Sequence, residues 1–173
     1  MKIKIKKLNE NAKLPEKTHG SDFCFDVYAT SMEEVAKDTY KYGIGLAFEI
    51  VRDKEEIGTL KENDEFNSIH ALKKATFDFK TANNVKLSID LRPRSSIYKT
   101  GMILSNSTGT IDEAYRGEVS AIFYHFNKKL PKYKVGDRIG QIKLGFTLDV
   151  DWVVVDDLSD SSRGEGGFGS TGK

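Results

Sequence analysis

The chain has 173 residues, enough for one domain with a sizeable core, and 38% of them are hydrophobic and 31% charged. Its 27 basic residues nearly balance 26 acidic ones, giving a net charge of +1, which argues against a nucleic-acid-binding surface. No apolar run approaches the length of about 18 residues that a membrane span requires.

The N-terminal sequence and the cysteine content favour a reducing compartment. "MKIKIKKLNE" alternates Lys and Ile and lacks the apolar core of a signal peptide. The single cysteine, Cys24, has no partner for an internal disulfide. We therefore expect a cytoplasmic protein.

Strand patterns dominate the chain. The segment at 2–6 alternates Lys and Ile, and "VKLSIDL" at 85–91 alternates apolar and polar residues with period two. Four more segments are short and rich in β-branched and aromatic residues: "YGIGLAFEI" (42–50), "EVSAIFYHF" (118–126), "RIGQIKLGF" (138–146) and "DVDWVVV" (149–155). The one helix that the pattern indicates is "NSIHALKKA" at 67–75. This combination predicts an all-β sandwich or jelly roll.

Two regions differ from the strand-rich remainder. Residues 51–84 are highly charged and weakly patterned, which indicates an insertion in a β-domain spanning 1–158. Residues 159–173 are rich in Gly and Ser, so we expect a C-terminal arm that is mobile when it binds nothing.

The segment "RPRSS" (92–96) follows a predicted strand and is a candidate anion site. Its guanidinium groups and hydroxyls are suited to phosphate oxygens, although a polar turn with solvated arginines explains the same pattern. Farther along, Gln141 in "GDRIGQIKL" (136–144) either points to a ligand or has a structural role in a strand.

The segment "NSTGTIDEAYRGEV" (106–119) predicts a hairpin whose backbone amides read a base edge. Gly109 permits unusual backbone angles there, Asp112 is a candidate general base, and Tyr115 is a candidate for packing against a sugar. An ordinary hairpin with a turn aspartate and a core tyrosine is the alternative.

The remaining candidates are a metal contact and the arm. Either Asp22 or Asp26, in "SDFCFDVYA" (21–29), is suited to Mg²⁺ through water, although a lone aspartate is more often a turn residue. The spacing of the histidines and the single cysteine argue against zinc. In the arm, Arg163 adds charge and Phe168 is able to stack on a base. The final seven residues read G-x-x-x-x-G-K, but no helix follows, so this is not an ordinary P-loop.

Taken together and in this order, five segments resemble the five motifs of the trimeric dUTPases, the dUTP diphosphatases. The matching segments are "FCFDVYA" (23–29), "PRSSIYKTGM" (93–102), "GTIDEAYRGEV" (109–119), "GDRIGQIKL" (136–144) and "RGEGGFGSTG" (163–172). The third and fifth are the most specific. The resemblance implies a jelly-roll homotrimer that hydrolyses dUTP to dUMP and pyrophosphate with Mg²⁺, at active sites shared between subunits and covered by the C-terminal arm.

The resemblance also implies a role for each matching residue. Asp112 would activate the attacking water, Tyr115 would pack against the deoxyribose, and Asp26 would contact waters of the Mg²⁺. The residues implied to read uracil are Asn106, Gly109, Thr110, Ile111 and Ser120, the last from the opposite strand of the hairpin. Those implied to hold phosphates are Arg94, Ser95, Ser96, Gln141 and Arg163. In the arm, Phe168 would cover the uracil ring, with Gly169 and Ser170 also binding substrate.

Three residues depart from the family pattern, which usually has Gly at position 96, Gly at 24 and Ala at 140, where this chain has Ser96, Cys24 and Gly140. Ser96 brings the second motif closer to that of the related dCTP deaminases. Those enzymes require a catalytic Glu where this chain has Ile122, so the deaminase is the less favoured alternative. A third alternative is a regulatory protein of the same fold that binds a protein partner through 51–84.

Overall fold

The computed structural model describes residues 2–51 and 85–166, which form ten β-strands and one short 3-10 helix, Ser95–Lys99. The strands are β1 (Lys2–Lys7), β2 (Phe25–Tyr28), β3 (Glu33–Ala36), β4 (Thr39–Gly43), β5 (Leu46–Val51), β6 (Val85–Arg92), β7 (Met102–Leu104), β8 (Gly109–Asp112), β9 (Ser120–His125) and β10 (Arg138–Leu148). The predicted all-β class is confirmed. The predicted helix at 67–75 and all of the insertion except Val51 lie outside the described residues, and so do Phe168, Gly169 and Ser170.

Two four-stranded antiparallel sheets enclose the core. Their strand orders are β2-β10-β6-β8 and β3-β4-β9-β7, while β1 pairs with β5 in a separate two-stranded sheet. Buried side chains from both large sheets form one cluster, in which Tyr42, Phe123, Leu91 and Ile139 are almost wholly inaccessible to solvent. Burial of such a two-sided apolar layer is the main stabilising contribution to a β-sandwich.

The predicted strand at 85–91 is confirmed as β6, with Val85, Ile89 and Leu91 buried on one face. The prediction of a single strand over 42–50 is wrong, because the chain turns between β4 and β5. Gly45 has a φ of +69° at this turn, a left-handed conformation that favours glycine.

The predicted strand at 149–155 is also wrong. β10 ends at Leu148, and the following residues pair with no strand of the described chain. Their side chains are exposed, with Trp152 at 92% and Val154 at 97%. A run of β-branched residues has high strand propensity, but a strand forms only where a partner supplies the second half of the hydrogen-bond ladder.

No helix within the described ranges has the length and apolar character needed to span a bilayer.

Candidate functional site

The third motif-like segment does not form the predicted hairpin. β8 pairs with β6 in one sheet, whereas β9 pairs with β4 and β7 in the other, so Ser120 lies in a different sheet from β8. The chain between them turns at Asp112, whose carbonyl accepts from the Tyr115 N–H at 3.0 Å. A tight two-residue hairpin places both of its strands in one sheet. The longer connection here allows β8 and β9 to lie in different sheets.

A cavity of about 260 Å³ lies where β8 and β9 face each other, and we call it the β8 cavity. Seven of the predicted site residues line it: Asn106, Gly109, Thr110, Ile111, Asp112, Tyr115 and Ser120. Lys41, Glu118 and Val119 complete the lining and were not identified from the sequence. The structure therefore brings these residues together around one cavity, although not through the predicted hairpin.

One edge of β8 is available to a ligand. β8 is the last strand of its sheet, so its backbone pairs with β6 on one side only. An unpaired strand edge presents backbone donors and acceptors. On the opposite wall, the buried Ser120 hydroxyl has no hydrogen-bond partner among the described residues. An unsatisfied buried hydroxyl is costly unless something pairs with it, which favours a polar ligand here.

Tyr115 is held at the mouth of the β8 cavity. Its hydroxyl donates to the Glu118 carbonyl at 3.1 Å, and the side chain remains 48% exposed. The ring lies against Gly117: a Cβ at that position would come within 2.5 Å of the Tyr115 Cζ atom. Gly117 therefore leaves the space that the ring occupies.

The second, first and fourth motif-like segments meet at an ion-pair cluster around Asp26. Arg94 Nε donates to Asp26 Oδ1 and Arg138 Nη1 donates to Asp26 Oδ2, each at 3.0 Å. The side chain of Asp26 is only 12% exposed, so two guanidinium groups neutralise a nearly buried carboxylate. Arg138 was not identified from the sequence, although it lies within the fourth motif-like segment.

Other predicted phosphate-binding residues lie around this cluster. Arg94 Nη1 donates to the Ser96 hydroxyl at 3.4 Å, so the hydroxyl at this unusual position touches the guanidinium. Gln141 Nε2 donates to the Pro93 carbonyl at 3.4 Å, and Ser95, the first residue of the 3-10 helix, is exposed. Gly140 lies close to the Arg92 backbone, where a Cβ would approach the Arg92 carbonyl oxygen to 3.0 Å. The missing methyl group thus allows slightly closer packing of β10 on β6.

The described part of the arm forms no hydrogen bond or ion pair with either group of residues. Arg163 Nε donates to the Gly166 carbonyl at 2.7 Å, and Arg163 itself is exposed. Its predicted position over the phosphates is not formed within this single chain.

Comparison with known proteins shows which family the chain belongs to. The sequence profile of the dUTPase family matches residues 68–172. The deoxyuridine 5′-triphosphate nucleotidohydrolase of Nautilia profundicola is 32% identical over 177 residues, covering 100% of both chains.

The chain belongs to the dUTPase family.

A second relative of this dUTPase is the enzyme of the same name from Picosynechococcus, 34% identical over 176 residues and 99% of each chain. Among solved structures, the dUTPase of Staphylococcus bacteriophage 80alpha with dUPNHPP has a TM-score of 0.65 at 20% identity, covering 99% of each chain. The dUTPase of phage phi11 of S. aureus has a TM-score of 0.58 at 14% identity and covers 93% of this chain and 100% of that one. These structures confirm the predicted fold.

Proposed function

We propose that this dUTPase hydrolyses dUTP to dUMP and pyrophosphate, with Asp112 activating the attacking water. The observation that carries the proposal is the β8 cavity, which gathers Asp112, Tyr115, an open strand edge and an unpaired hydroxyl. In the cell, this reaction would keep uracil out of DNA and supply dUMP for thymidylate synthesis, and we place it in the cytoplasm. The relatives carry the hydrolase name, and β9 has Ile122 where a deaminase would need Glu, so deamination of dCTP is disfavoured.

The uracil ring would bind against the free edge of β8. Backbone groups of Gly109, Thr110 and Ile111 would pair with the base, with Asn106 and Ser120 close enough to assist since they line the same cavity. Such pairing would reject cytosine, because its exchanged donor and acceptor would leave buried polar groups unpaired. A 5-methyl group would be excluded by lack of space.

Tyr115 would pack against the deoxyribose. Its ring is fixed at one end by the hydroxyl bond to the Glu118 carbonyl and below by Gly117. A ring held in this way would leave no room for a 2′-hydroxyl. Discrimination between dUTP and UTP would therefore depend on the position of one aromatic side chain.

Asp112 would take a proton from water as the water oxygen attacks the α-phosphorus. The new bond joins that oxygen to the α-phosphorus, the bond from the α-phosphorus to the bridging oxygen breaks, and pyrophosphate leaves with the electron pair. General base catalysis of this kind contributes roughly 10²- to 10⁴-fold in rate. Asp112 is exposed at the end of β8, where a water is able to reach it.

The triphosphate would contact Arg94, Ser95, Ser96 and Gln141, and Asp26 would hold Arg94 in place. Charge stabilisation by such preorganised donors is the largest contribution that a protein makes to phosphoryl chemistry. The ion pair with Asp26 fixes the direction of the Arg94 guanidinium before substrate binds.

The residues present fit a Mg²⁺ ion that is bound mainly through substrate and water. In the described ranges, no three His, Cys, Asp or Glu side chains are grouped closely enough to hold a metal ion. Both oxygens of Asp26 already accept from guanidinium groups, but a carboxylate has further lone pairs for a metal-bound water. Mg²⁺ usually retains several waters and needs few protein carboxylates, and when bound it would neutralise phosphate charge.

We further propose a homotrimer in which each active site combines residues of neighbouring subunits. The β-domain would span 1–158, and the arm, 159–173, would close over a site with Arg163 on the phosphates and Phe168, Gly169 and Ser170 on the nucleoside. Support comes from the outer surface, where Phe146, Trp152 and Val154 are more than two-thirds exposed. A run of exposed large apolar side chains, as from Trp152 to Val155, is typical of a protein interface. A protein partner for residues 51–84 stays a prediction.

Replacing Asp112 by Asn tests the proposed reaction. We expect Asp112→Asn to fold and bind dUTP but to lose roughly 10²-fold or more of kcat, because the water loses its base. Steady-state release of pyrophosphate from dUTP measures the turnover, and a non-hydrolysable dUTP analogue measures binding. Turnover equal to that of the parent would show that Asp112 is not the base.

Mixing two inactive variants tests the shared site. One is Asp112→Asn with its arm intact, and the other retains Asp112 but ends at residue 162. If Asp112 and the arm of a site come from different subunits, co-refolded mixtures should regain activity that neither variant has alone. If one subunit supplies both, every site in the mixture lacks one group, and no activity should return.

A further inference from the structure

The side chain of Glu118 joins the β8 cavity to the turn between β4 and β5. Its carboxylate Oε1 accepts from the Gly45 N–H at 2.7 Å, across 73 positions of the sequence. Glu118 is partly buried, lines the β8 cavity and was not identified from the sequence. A carboxylate that accepts from a backbone N–H forms one of the stronger hydrogen bonds in proteins. The bond therefore ties one wall of the cavity to a distant part of the chain.

The turn that Glu118 binds is firmly held. Gly45 has a φ of +69°, and its carbonyl accepts from the Leu8 N–H at 2.8 Å, just after β1. A Cβ at position 45 would lie 2.9 Å from the Cβ of Ala12, which is itself only 2% exposed. Because Gly45 is packed closely on one side and hydrogen-bonded on the other, it is a rigid anchor for the carboxylate.

Gly43 leaves the space that the Glu118 side chain occupies. A Cβ at position 43 would lie 2.8 Å from Glu118 Cδ, so no larger residue fits there with the glutamate in this conformation. Glu118 forms no ion pair with any described residue. The arrangement therefore uses the acceptor oxygen of the glutamate, and its negative charge is not needed to neutralise a neighbour.

The backbone of the same glutamate holds Tyr115. The Glu118 carbonyl accepts from the Tyr115 hydroxyl at 3.1 Å. In the described chain, residues 116–118 form no hydrogen bond between backbone groups, and the next such bond joins the Val119 N–H to the Leu46 carbonyl at 2.9 Å. Within the described ranges, the carboxylate bond is thus the only hydrogen bond that ties 116–118 to a segment outside this loop.

The orientation of the Tyr115 ring depends on this carbonyl. The ring is 48% exposed and lies against Gly117, and the Glu118 carbonyl is the one partner of its hydroxyl among the described residues. Without the glutamate side chain, residues 116–118 would be held from one end alone. The carbonyl would then be free to move, and the ring would move with it.

We propose that Glu118 is a positioning residue that sets the preference for dUTP over UTP: by binding Gly45, its carboxylate fixes the carbonyl that orients the Tyr115 ring. The inference rests on the proposed function, in which that ring packs against the deoxyribose. Glu118 would touch no reacting atom. A ring that is free to shift would admit the 2′-hydroxyl that a fixed ring would exclude, and it would position the sugar of dUTP less well.

Steady-state kinetics with dUTP and UTP test this role. Glu118→Ala removes the acceptor, so we expect kcat/KM for dUTP to fall by about 10-fold while kcat/KM for UTP does not fall. Glu118→Gln keeps an acceptor oxygen at the same reach and should retain both values within about 3-fold. The matched control is Glu34→Ala, which also removes a carboxylate that accepts from a backbone N–H, that of Asp38 at 3.1 Å, but does not line the cavity.

The ratio of the two kcat/KM values separates positioning from a purely structural role. A Glu118→Ala protein that is less stable but keeps the parent's preference for dUTP would overturn the proposal. So would an equal loss of preference in Glu118→Gln, because that variant retains the acceptor. If Glu118→Ala does not fold, Glu118→Asp replaces it, since its carboxylate is one methylene shorter and would not reach the Gly45 N–H. Parent-like preference in Glu118→Asp would then overturn the proposal.

A readout that needs no turnover follows the ring itself. In protein with ¹³C-labelled tyrosine, the ring signals of Tyr115 are identified in NMR spectra by their loss in Tyr115→Phe. We expect these signals to shift in Glu118→Ala and to match the parent in Glu118→Gln and Glu34→Ala. Unshifted signals in Glu118→Ala would overturn the proposal. A shift in a protein whose parent does not hydrolyse dUTP would refute the proposed function and leave the link between Glu118 and Tyr115 as assigned.

Discussion

Gly117→Ala is expected to damage catalysis by displacing Tyr115. The new Cβ would lie 2.5 Å from Tyr115 Cζ and 3.0 Å from Cε2. Carbon atoms pack comfortably at about 3.5–4.0 Å, so the ring has to move by roughly 1 Å. Gly117 is not among the glycines with positive φ, so Ala fits its backbone and the change acts on the ring.

The displacement should affect kcat/KM more than stability. A misplacement of about 1 Å at a substrate-positioning group typically costs about 10²-fold in rate. Loss of the hydrogen bond from the Tyr115 hydroxyl to the Glu118 carbonyl would lower the free energy of unfolding by about 1 kcal/mol. Replacing Gly by Ala raises it by about 0.4–1 kcal/mol, because Ala reduces the conformational entropy of the unfolded chain. The free energy of unfolding should therefore change little.

Steady-state kinetics with dUTP and UTP measure both consequences of the Gly117 substitution. We expect kcat/KM for dUTP to fall by about 10²-fold and the preference for dUTP over UTP to narrow. Gly20→Ala is the control, because a Cβ at Gly20 meets no atom within 4 Å. Parent-like values for Gly117→Ala, in both kcat/KM and sugar preference, would refute the role given to the Tyr115 ring.

Three further predictions concern stability. Asp26→Asn should lower the free energy of unfolding by about 2 kcal/mol in denaturant titrations, because two guanidinium groups lose their counter-charge; an unchanged midpoint would contradict this. Gly101→Ala should lower the free energy of unfolding by about 3 kcal/mol, since its Cβ would lie 2.9 Å from the Asn127 carbonyl carbon. A free energy of unfolding equal to that of Gly20→Ala would show that the backbone moves to accommodate the methyl group. Burial raises the pKa of Tyr42 to about 12, so the stability it contributes should be complete below pH 10 and lost as pH rises towards 12; a free energy of unfolding that is the same at pH 9 and pH 12 in denaturant titrations would disprove the link.

The sequence predicted strands correctly where the pattern depends only on the geometry of that one strand. Alternation over 85–91 predicted β6 and its buried face, because period-two patterning follows from the geometry of a single strand. The same propensity misled at 149–155, where β-branched residues have no partner strand in the described chain. Strand pairing depends on distant segments, and the crossover of β8 and β9 into different sheets left no local signal.

In the candidate site too, the sequence predicted what local motifs carry and did not predict what depends on distant residues. Motif resemblance pointed to seven residues that line the β8 cavity, but the ion pair between Asp26 and Arg94 is seen only in the structure. The resemblance also did not identify the unpaired hydroxyls of Ser120 and Tyr133. Satisfaction of a hydrogen-bonding group is a property of its three-dimensional surroundings, and a serine or tyrosine in a strand-like sequence gives no indication of it.

Product analysis tests the central claim most directly. The purified protein is incubated with Mg²⁺ and, separately, with dUTP, dCTP, dTTP and UTP, and pyrophosphate, nucleoside monophosphate and ammonia are measured. The account predicts dUMP and pyrophosphate from dUTP alone. Release of ammonia from dCTP, or no product from any nucleotide, would contradict it.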